Sequence, residues 1–216
     1  MKLALKLCLF SAVCGLLNFS GQKISRAETE EIDFESIEVN ILDEINRART
    51  TPSDYIESLV EFKTFYNGNR RQIPGEITIR TTEGVSAVDD AITYFENATP
   101  VDPLTLSAGM SQAAEDHVKD QGSLGEFGHT GSDGSKPSER MSRYGTWKRK
   151  AAENISYGPQ TGEQVVIRLI VDDGVYARGH RRNIMSPLHK VVGIACGPHL
   201  QYPVMCVMTF AGGFEE

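Results

Sequence analysis

Cysteine, tryptophan and long apolar runs are scarce in this sequence, which has four cysteines and one tryptophan among 216 residues. A membrane-spanning helix needs about 20 consecutive apolar residues, and no run of that length occurs. The motifs HExxH, GxSxG, GxxxxGK and GxGxxG are also missing. Their absence removes the usual signatures of zinc peptidases, serine hydrolases, P-loop nucleotidases and dinucleotide-binding enzymes.

The first residues have the order of charge, apolar run and small residues that is typical of a secretory signal. Lys2 and Lys6 are followed by an apolar run over residues 7–17 and by Ser25-Arg26-Ala27. We therefore expect residues 1–27 to be a signal peptide cleaved after Ala27, because the run is too short for a membrane anchor. Export would place the rest of the chain in the periplasm or the medium.

The exported part is strongly acidic. The whole chain has a net charge of −7, and loss of the four basic residues of the signal brings it to −11. A surface of this sign repels nucleic acid and opposes self-association, so we expect no nucleic-acid partner and a monomer. Residues 28–36 are predicted to form an acidic arm, and residues 37–216 are long enough for one domain.

Only Cys196 and Cys206 remain after cleavage. Two cysteines are too few for a structural zinc site, and an isolated pair in an oxidising compartment favours a disulfide. Both lie in β-rich runs separated by Pro198 and Pro203, which together predict a long hairpin. The sequence therefore predicts a disulfide across this hairpin.

Periodic apolar residues predict helices first and strands later. Ile37, Ile41, Ile45 and Ala48 have helical spacing, and further helices are expected after Pro52, at Val85–Phe95, after Ser107, from Pro137 to Arg143 and over residues 162–171. Residues 67–84 are expected to form an exposed excursion. Strands are expected at Ala151–Tyr157 and in the closing hairpin. This order predicts an α+β fold with a sheet packed between helices.

Two of the five histidines lie in loops rich in glycine. His129 is in Phe127-Gly128-His129-Thr130-Gly131, and His180 follows Gly179. Glu153 and the pair Asp172-Asp173 lie between them in sequence. Two neutral imidazoles with one or two carboxylates are suited to a divalent transition metal such as Zn²⁺, or to a histidine–acid network that transfers protons.

These residues belong to segments that resemble a known family. GHTGSDGS, AENISYG, VDDG, GHRRNIMSP and the closing VGIACG and MCVMTFAGG resemble, in this order, the CAP superfamily of cysteine-rich secretory, antigen 5 and pathogenesis-related 1 proteins. The resemblance covers about residues 37–213 and is greatest to bacterial members, which carry what is also called the SCP domain. It implies a three-layer α-β-α sandwich with a central antiparallel sheet.

The resemblance also implies a cleft lined by two histidines and two acids. His129, Glu153 and His180 match three of the family's positions, and the fourth falls at Asp172, with Asp173 as the alternative. Aspartate is shorter than the glutamate common there, which favours a residue that orients a histidine rather than one that binds the ion.

Three functions are compatible with this sequence. The first is a secreted binding module that holds Zn²⁺ or another divalent metal at His129, His180, Glu153 and Asp172 and recognises an extracellular or envelope ligand. The second is a metal-assisted hydrolase in which Glu153 acts as general base together with His180. The third is a lipid carrier. Family resemblance does not choose between them, because one fold can support several functions.

Overall fold

Helices and strands alternate along residues 32–216, the part of the chain that the computed structural model describes. The predicted signal peptide and residues 28–31 of the arm lie outside this part. The elements are α1 (Phe34–Thr50), α2 (Pro52–Thr64), β1 (Tyr66–Asn67), β2 (Arg70–Arg71), β3 (Ile79–Arg80), α3 (Val85–Glu96), β4 (Thr105–Leu106), α4 (Ala108–Leu124), α5 (Pro137–Met141), β5 (Thr146–Trp147), β6 (Ala151–Tyr157), α6 (Gly162–Val171), α7 (Gly179–Ile184), β7 (Val191–His199), β8 (Tyr202–Ala211) and β9 (Phe214–Glu215).

The main sheet has four strands in the order β4-β7-β8-β6. The predicted hairpin is β7 and β8, and β6 adds to the other side of β8 in antiparallel register. Only β4 runs parallel to its neighbour, through two residue pairs. The central antiparallel sheet is therefore confirmed, with one short parallel strand at the edge and β6 at the opposite edge.

The sheet separates two layers of helices. Val204, Cys206 and Met208 of β8 face a core built from α1, α2, α3 and α6. The alternate residues Met205 and Val207 pack on the other face against α4. This alternation follows from the two-residue period of a strand, and it confirms the predicted three-layer α-β-α sandwich.

A helix and the sheet come very close together at Gly193. A Cβ on this residue would lie 2.1 Å from the carbonyl carbon of Met110 in α4. Glycine is therefore required here, because any side chain would push the helix away from β7. The close contact fixes α4, which precedes the loop that carries His129.

Side-chain caps mark the starts of α1, α4 and α6, and Thr161 caps the last of these by accepting from the backbone N–H of Gln164. Ser107 accepts a hydrogen bond from the backbone N–H of Met110 and begins α4, as predicted. Asp33 accepts one from Ser36 at 3.0 Å, so α1 begins at Phe34, three residues before the predicted start of the domain. Residues 34–36, which were assigned to the acidic arm, thus belong to the first helix.

The excursion over residues 67–84 has structure of its own. It includes most of a small antiparallel sheet, β1-β2-β3, in which each strand has two residues. Strands this short carry no readable alternation of polar and apolar residues, which is why the sequence predicted only an exposed segment.

The predicted disulfide joins Cys196 and Cys206, which are direct partners in the register of β7 and β8. Cys206 is fully buried against the main core. Closing so short a loop stabilises the fold by roughly 3 kcal/mol on the chain-entropy argument, and by less where the unfolded hairpin persists.

Candidate active site

His129 and Glu153 form the first of two histidine–acid pairs. The Nδ1 atom of His129 lies 2.8 Å from Oε1 of Glu153. The histidine side chain is 50% exposed, whereas the glutamate side chain is 1% exposed. An ionised carboxylate can only accept a hydrogen bond, so Nδ1 carries the hydrogen, and Nε2 has a free lone pair whenever the imidazole is neutral.

The second oxygen of Glu153 is held by an arginine that sequence analysis did not single out. Arg140 of α5 donates from Nη2 to Oε2 at 2.7 Å, and its side chain is also 1% exposed. Its Nη1 donates to the backbone oxygens of His129 and Ser135 at 3.2 and 3.0 Å. Arg140 therefore balances the buried charge of Glu153 and fixes the loop of His129.

His180 and Asp172 form the second pair. Nδ1 of His180 lies 2.6 Å from Oδ1 of Asp172, and the backbone N–H of His180 donates to Oδ2 at 2.9 Å. Asp172 is the C-cap of α6 and has a left-handed backbone with φ of 56°. Aspartate tolerates this conformation better than most residues, and here it directs the carboxylate to the first turn of α7.

The choice between the two neighbouring aspartates is resolved by their partners. Asp173 accepts hydrogen bonds from the backbone N–H groups of Thr82, Glu83 and Gly84 at 2.7, 2.7 and 2.9 Å. It therefore anchors the start of α3, and Asp172 is the residue that contacts a histidine.

The two pairs meet at the same edge strand, β6. Glu153 contacts His129 on the face covered by α4 and α5, and the next residue, Asn154, faces the other side. Asn154 donates to the backbone oxygen of His180 at 3.1 Å and accepts from the side chain of Asn183 at 2.9 Å. Consecutive residues of one strand thus contact both histidine segments, although no hydrogen bond or ion pair among the described residues joins one pair to the other.

The loop before His129 is held by side chains of α4 and β6. Nε2 of His117 lies 2.8 Å from the carbonyl oxygen of Gly128. The backbone N–H of Gly128 donates to the Tyr157 hydroxyl at 3.2 Å. That hydroxyl donates to Gln121 at 3.1 Å, and Gln121 donates to the carbonyl oxygen of Thr130 at 3.3 Å. His129 is thus presented by a loop that is fixed on both sides of it.

The groups that could bind a metal here are two imidazole rings, each held in a fixed orientation by a carboxylate. In metal sites, a ligating histidine usually donates its other ring N–H to a carboxylate, as both histidines do here. Each carboxylate already uses both of its oxygens. Within residues 32–216, no three His, Cys, Asp or Glu side chains form a ready metal-binding group. Each imidazole could offer one ring nitrogen to a metal, and neither carboxylate has an oxygen without a partner.

The remaining histidines have structural contacts. His199 contacts the backbone oxygen of Glu126 at 2.9 Å, and His189 contacts that of Asn183 at 2.9 Å. Burial lowers the pKa of both His117 and His189, and the hydrogen bonds that oppose this shift are weaker.

These lowered pKa values predict a fold that loses stability in mild acid. Between the folded pKa and the ordinary histidine value of about 6.5, the unfolded chain binds protons that the folded chain does not. We therefore expect the melting temperature to fall as pH drops from 7.5 to 5.5. His117→Gln and His189→Gln should each show a smaller fall, because glutamine does not titrate. Equal falls in parent and variants would contradict this source of the pH dependence.

The residues that contact the site and were missed by sequence analysis include Arg140, Asn154, Tyr157 and Asn183. A signal existed for Asn154, Tyr157 and Asn183, since each lies in a segment that carries the family resemblance. Arg140 had none, because it resembles any surface arginine of a short polar helix.

The fold and the site define an α-β-α sandwich with two histidine–acid pairs at one edge of its sheet. Residues 42–210 match the model of the cysteine-rich secretory protein family, CAP. The chain therefore belongs to this family, and the predicted membership is confirmed.

One relative of this chain is a bacterial protein of known sequence. The chain is similar to the Bacillus subtilis (strain 168) protein YkwD, with 26% identity over 121 residues that cover 54% of this chain and 45% of that protein. It thus spans less than half of the relative's length. Within residues 32–216, no helix combines the length and apolarity needed to cross a membrane.

Two solved structures are similar in fold. One is an extracellular protein containing a SCP domain from Bacillus anthracis, with a TM-score of 0.44 and 16% identity over 59% of this chain and 37% of that chain. The other is an outer surface protein from Borrelia burgdorferi, with a TM-score of 0.44 and 15% identity over 51% of this chain and 78% of that chain.

Proposed function

We propose that this chain is an extracytoplasmic binding protein in which His129 and His180 hold a divalent transition metal such as Zn²⁺. The observation that carries the proposal is the pairing of each Nδ1 with a buried carboxylate, which orients the ring and leaves Nε2 as the donor. When bound, the metal would supply a Lewis-acidic centre with positions that two protein ligands do not fill. A ligand from the extracellular space or the envelope would occupy such positions, which makes recognition of a partner the role that fits best.

In this arrangement the acids orient the histidines. Glu153 is shared between His129 and Arg140, and Asp172 binds both Nδ1 and the backbone N–H of His180. Their removal should weaken metal binding less than removal of either histidine, since outer partners of ligating histidines typically contribute about 10–100-fold in affinity.

The test is a calorimetric titration of Zn²⁺ into the purified protein at pH 7.5 and pH 5. Imidazole binds a metal only when neutral, so binding should weaken strongly at the lower pH. His129→Ala and His180→Ala should each reduce affinity by about 100-fold or more, and Asp172→Asn by about 10-fold. His199→Gln is the matched control, because His199 belongs to neither pair. Parent-like binding by both alanine variants, or affinity independent of pH, would refute the shared site.

A hydrolase is the second candidate, and the His180–Asp172 pair is the observation that favours it. A histidine whose Nδ1 is fixed by a carboxylate can act as general base through Nε2, and the His180 side chain is 25% exposed. Glu153 is a poorer base here, because its side chain is buried and bound to Arg140. A hydrolase would show turnover that is lost in His180→Ala, whereas a binding protein would lose only affinity for its partner.

A further inference from the structure

The small sheet β1-β2-β3 places two arginines side by side. Arg70 of β2 is the direct partner of Arg80 of β3, and Arg71 is the partner of Ile79. Residues that are directly opposite in a sheet project to the same face, so Arg70 and Arg80 share the exposed face and Arg71 and Ile79 share the other. Like charges in this position repel and destabilise the sheet.

The acidic side chains of the described residues do not offset this repulsion. Within residues 32–216, neither Arg70 nor Arg80 forms an ion pair. The two acids of the excursion are paired elsewhere, because Glu76 accepts from Arg168 at 2.5 and 2.7 Å and Glu83 forms an ion pair with Arg178 at 2.6 Å. Arg71 lies over the ring of Phe62 at 5.9 Å. The excursion therefore presents uncompensated positive charge on a chain whose net charge is −7.

The two arginines also line a concave surface. With Asn69, Thr78 and Ile79 they border an open pocket of about 390 Å³. Arg70 and Thr78 continue into a neighbouring pocket of about 440 Å³, which includes Asn67 and Gln72. The polar side chains in these linings are amides and hydroxyls, which can donate hydrogen bonds, and no carboxylate is among them.

We propose that Arg70 and Arg80 form a binding site for a phosphate-bearing ligand. One guanidinium group satisfies both oxygens of a carboxylate, whereas a phosphate group has enough oxygens to accept bonds from two such groups at once. A pair of arginines with no acid between them, flanked by neutral donors, thus matches phosphate better than carboxylate. The site uses neither His129 nor His180 and is independent of the proposed metal.

The ligand could be a soluble phosphate or the headgroup of a lipid, and two measurements distinguish them. Pyrophosphate is titrated into the purified protein by calorimetry at low ionic strength, and sedimentation measures binding to vesicles of phosphatidylglycerol and of phosphatidylcholine. Binding to pyrophosphate indicates a soluble ligand. Binding restricted to phosphatidylglycerol vesicles indicates a lipid headgroup. In either case binding should weaken as salt is added.

Arg70→Gln and Arg80→Gln should each weaken the observed binding by at least about fivefold, because each removes one set of charge-assisted hydrogen bonds. Arg149→Gln, at an exposed arginine between β5 and β6, is the matched control and should bind as the parent does. Both test variants should melt at or above the temperature of the parent, since they relieve the repulsion across β2 and β3. The site is refuted if the parent binds neither probe, or if both variants bind as tightly as the control.

Discussion

Glu153→Ala is expected to destabilise the fold by about 3–5 kcal/mol, which is the usual effect of removing one partner of a buried ion pair. The reason is that Arg140 stays buried in the variant after its partner is removed. Its side chain is 1% exposed, and Glu153 supplies its only contact with a carboxylate among the described residues. The alanine variant would leave a buried guanidinium without a counter-charge and His129 without the group that orients it.

A double-mutant cycle measures the interaction between Glu153 and Arg140 separately from the contribution of each residue alone. Glu153→Ala combined with Arg140→Leu should be less destabilised than the sum of the two single variants, because neither buried charge is then left alone. Chemical denaturation of all four proteins gives the coupling free energy. The matched control is Glu115→Ala, whose exposed pair with Lys119 on α4 should contribute no more than about 0.5 kcal/mol. Additive losses at Glu153 and Arg140 would show that the pair does not stabilise the fold.

A further variant of Glu153 tests its role in the candidate metal site. If Glu153 orients His129, Glu153→Gln should keep one acceptor oxygen, which can serve either His129 or Arg140, while it removes the charge. Its effect on Zn²⁺ affinity should therefore be smaller than that of His129→Ala. A larger effect at Glu153 would assign the carboxylate, and not the imidazole, as the principal ligand.

The helices and the hairpin were predictable because their signals are periodic or local. Ile37, Ile41 and Ile45 form one stripe of α1, and Ser107 is a cap that can be recognised from its neighbours. Cys196 and Cys206 could be paired because they are alone in two facing β-rich runs. Such signals depend on residues that are close in sequence, so they can be recognised without the tertiary structure.

The site was predictable only as a set of candidates. The family resemblance supplied His129, Glu153, His180 and Asp172, but the pairing of each histidine with one acid depends on how α6, α7 and β6 pack. Asp172 and Asp173 illustrate the difficulty. The two residues are identical and adjacent, and only the left-handed backbone at Asp172 and the backbone donors near α3 give them separate roles.

Buried arginines were the least predictable feature. Arg49 and Arg140 are among the largest fully buried side chains, although arginine is rarely buried without partners. Arg49 lies beside the apolar stripe of α1 and its partners are backbone oxygens distant in sequence. No pattern of side chains marks such acceptors in advance.

Arg49→Met is expected to destabilise the fold by about 3–5 kcal/mol, since it removes the donors from several buried acceptors at once. Nε of Arg49 donates to the backbone oxygen of Asp102 at 2.8 Å, and Nη1 donates to that of Ser186 at 3.0 Å. Nη1 also donates to Ile184, and Nη2 donates to His189 at 3.2 Å. Burial lowers the pKa of Arg49 to about 10, so the side chain is still charged at neutral pH.

The effect should extend to the candidate site, because three of these acceptors, the backbone oxygens of Ile184, Ser186 and His189, lie at the end of α7 and in the segment that follows it. Arg49→Met would release the end of the helix that carries His180, so Zn²⁺ affinity should fall at temperatures where the variant is still folded. Arg49→Lys should recover part of the stability, since an ammonium group keeps the charge but cannot reproduce the planar set of donors.

The matched control is Arg47→Met on the same helix. Arg47 forms a partly exposed pair with Glu44 at 2.9 Å, donates to the Ser58 hydroxyl at 2.9 Å and lies over the ring of Tyr55 at 4.6 Å, so its loss should change the free energy of unfolding by about 1–2 kcal/mol, well below the effect at Arg49. Chemical denaturation and Zn²⁺ titration of the three variants test the argument together. If Arg49→Met is no less stable than Arg47→Met, the four backbone bonds do not stabilise the fold, and the end of α7 must be held by other contacts.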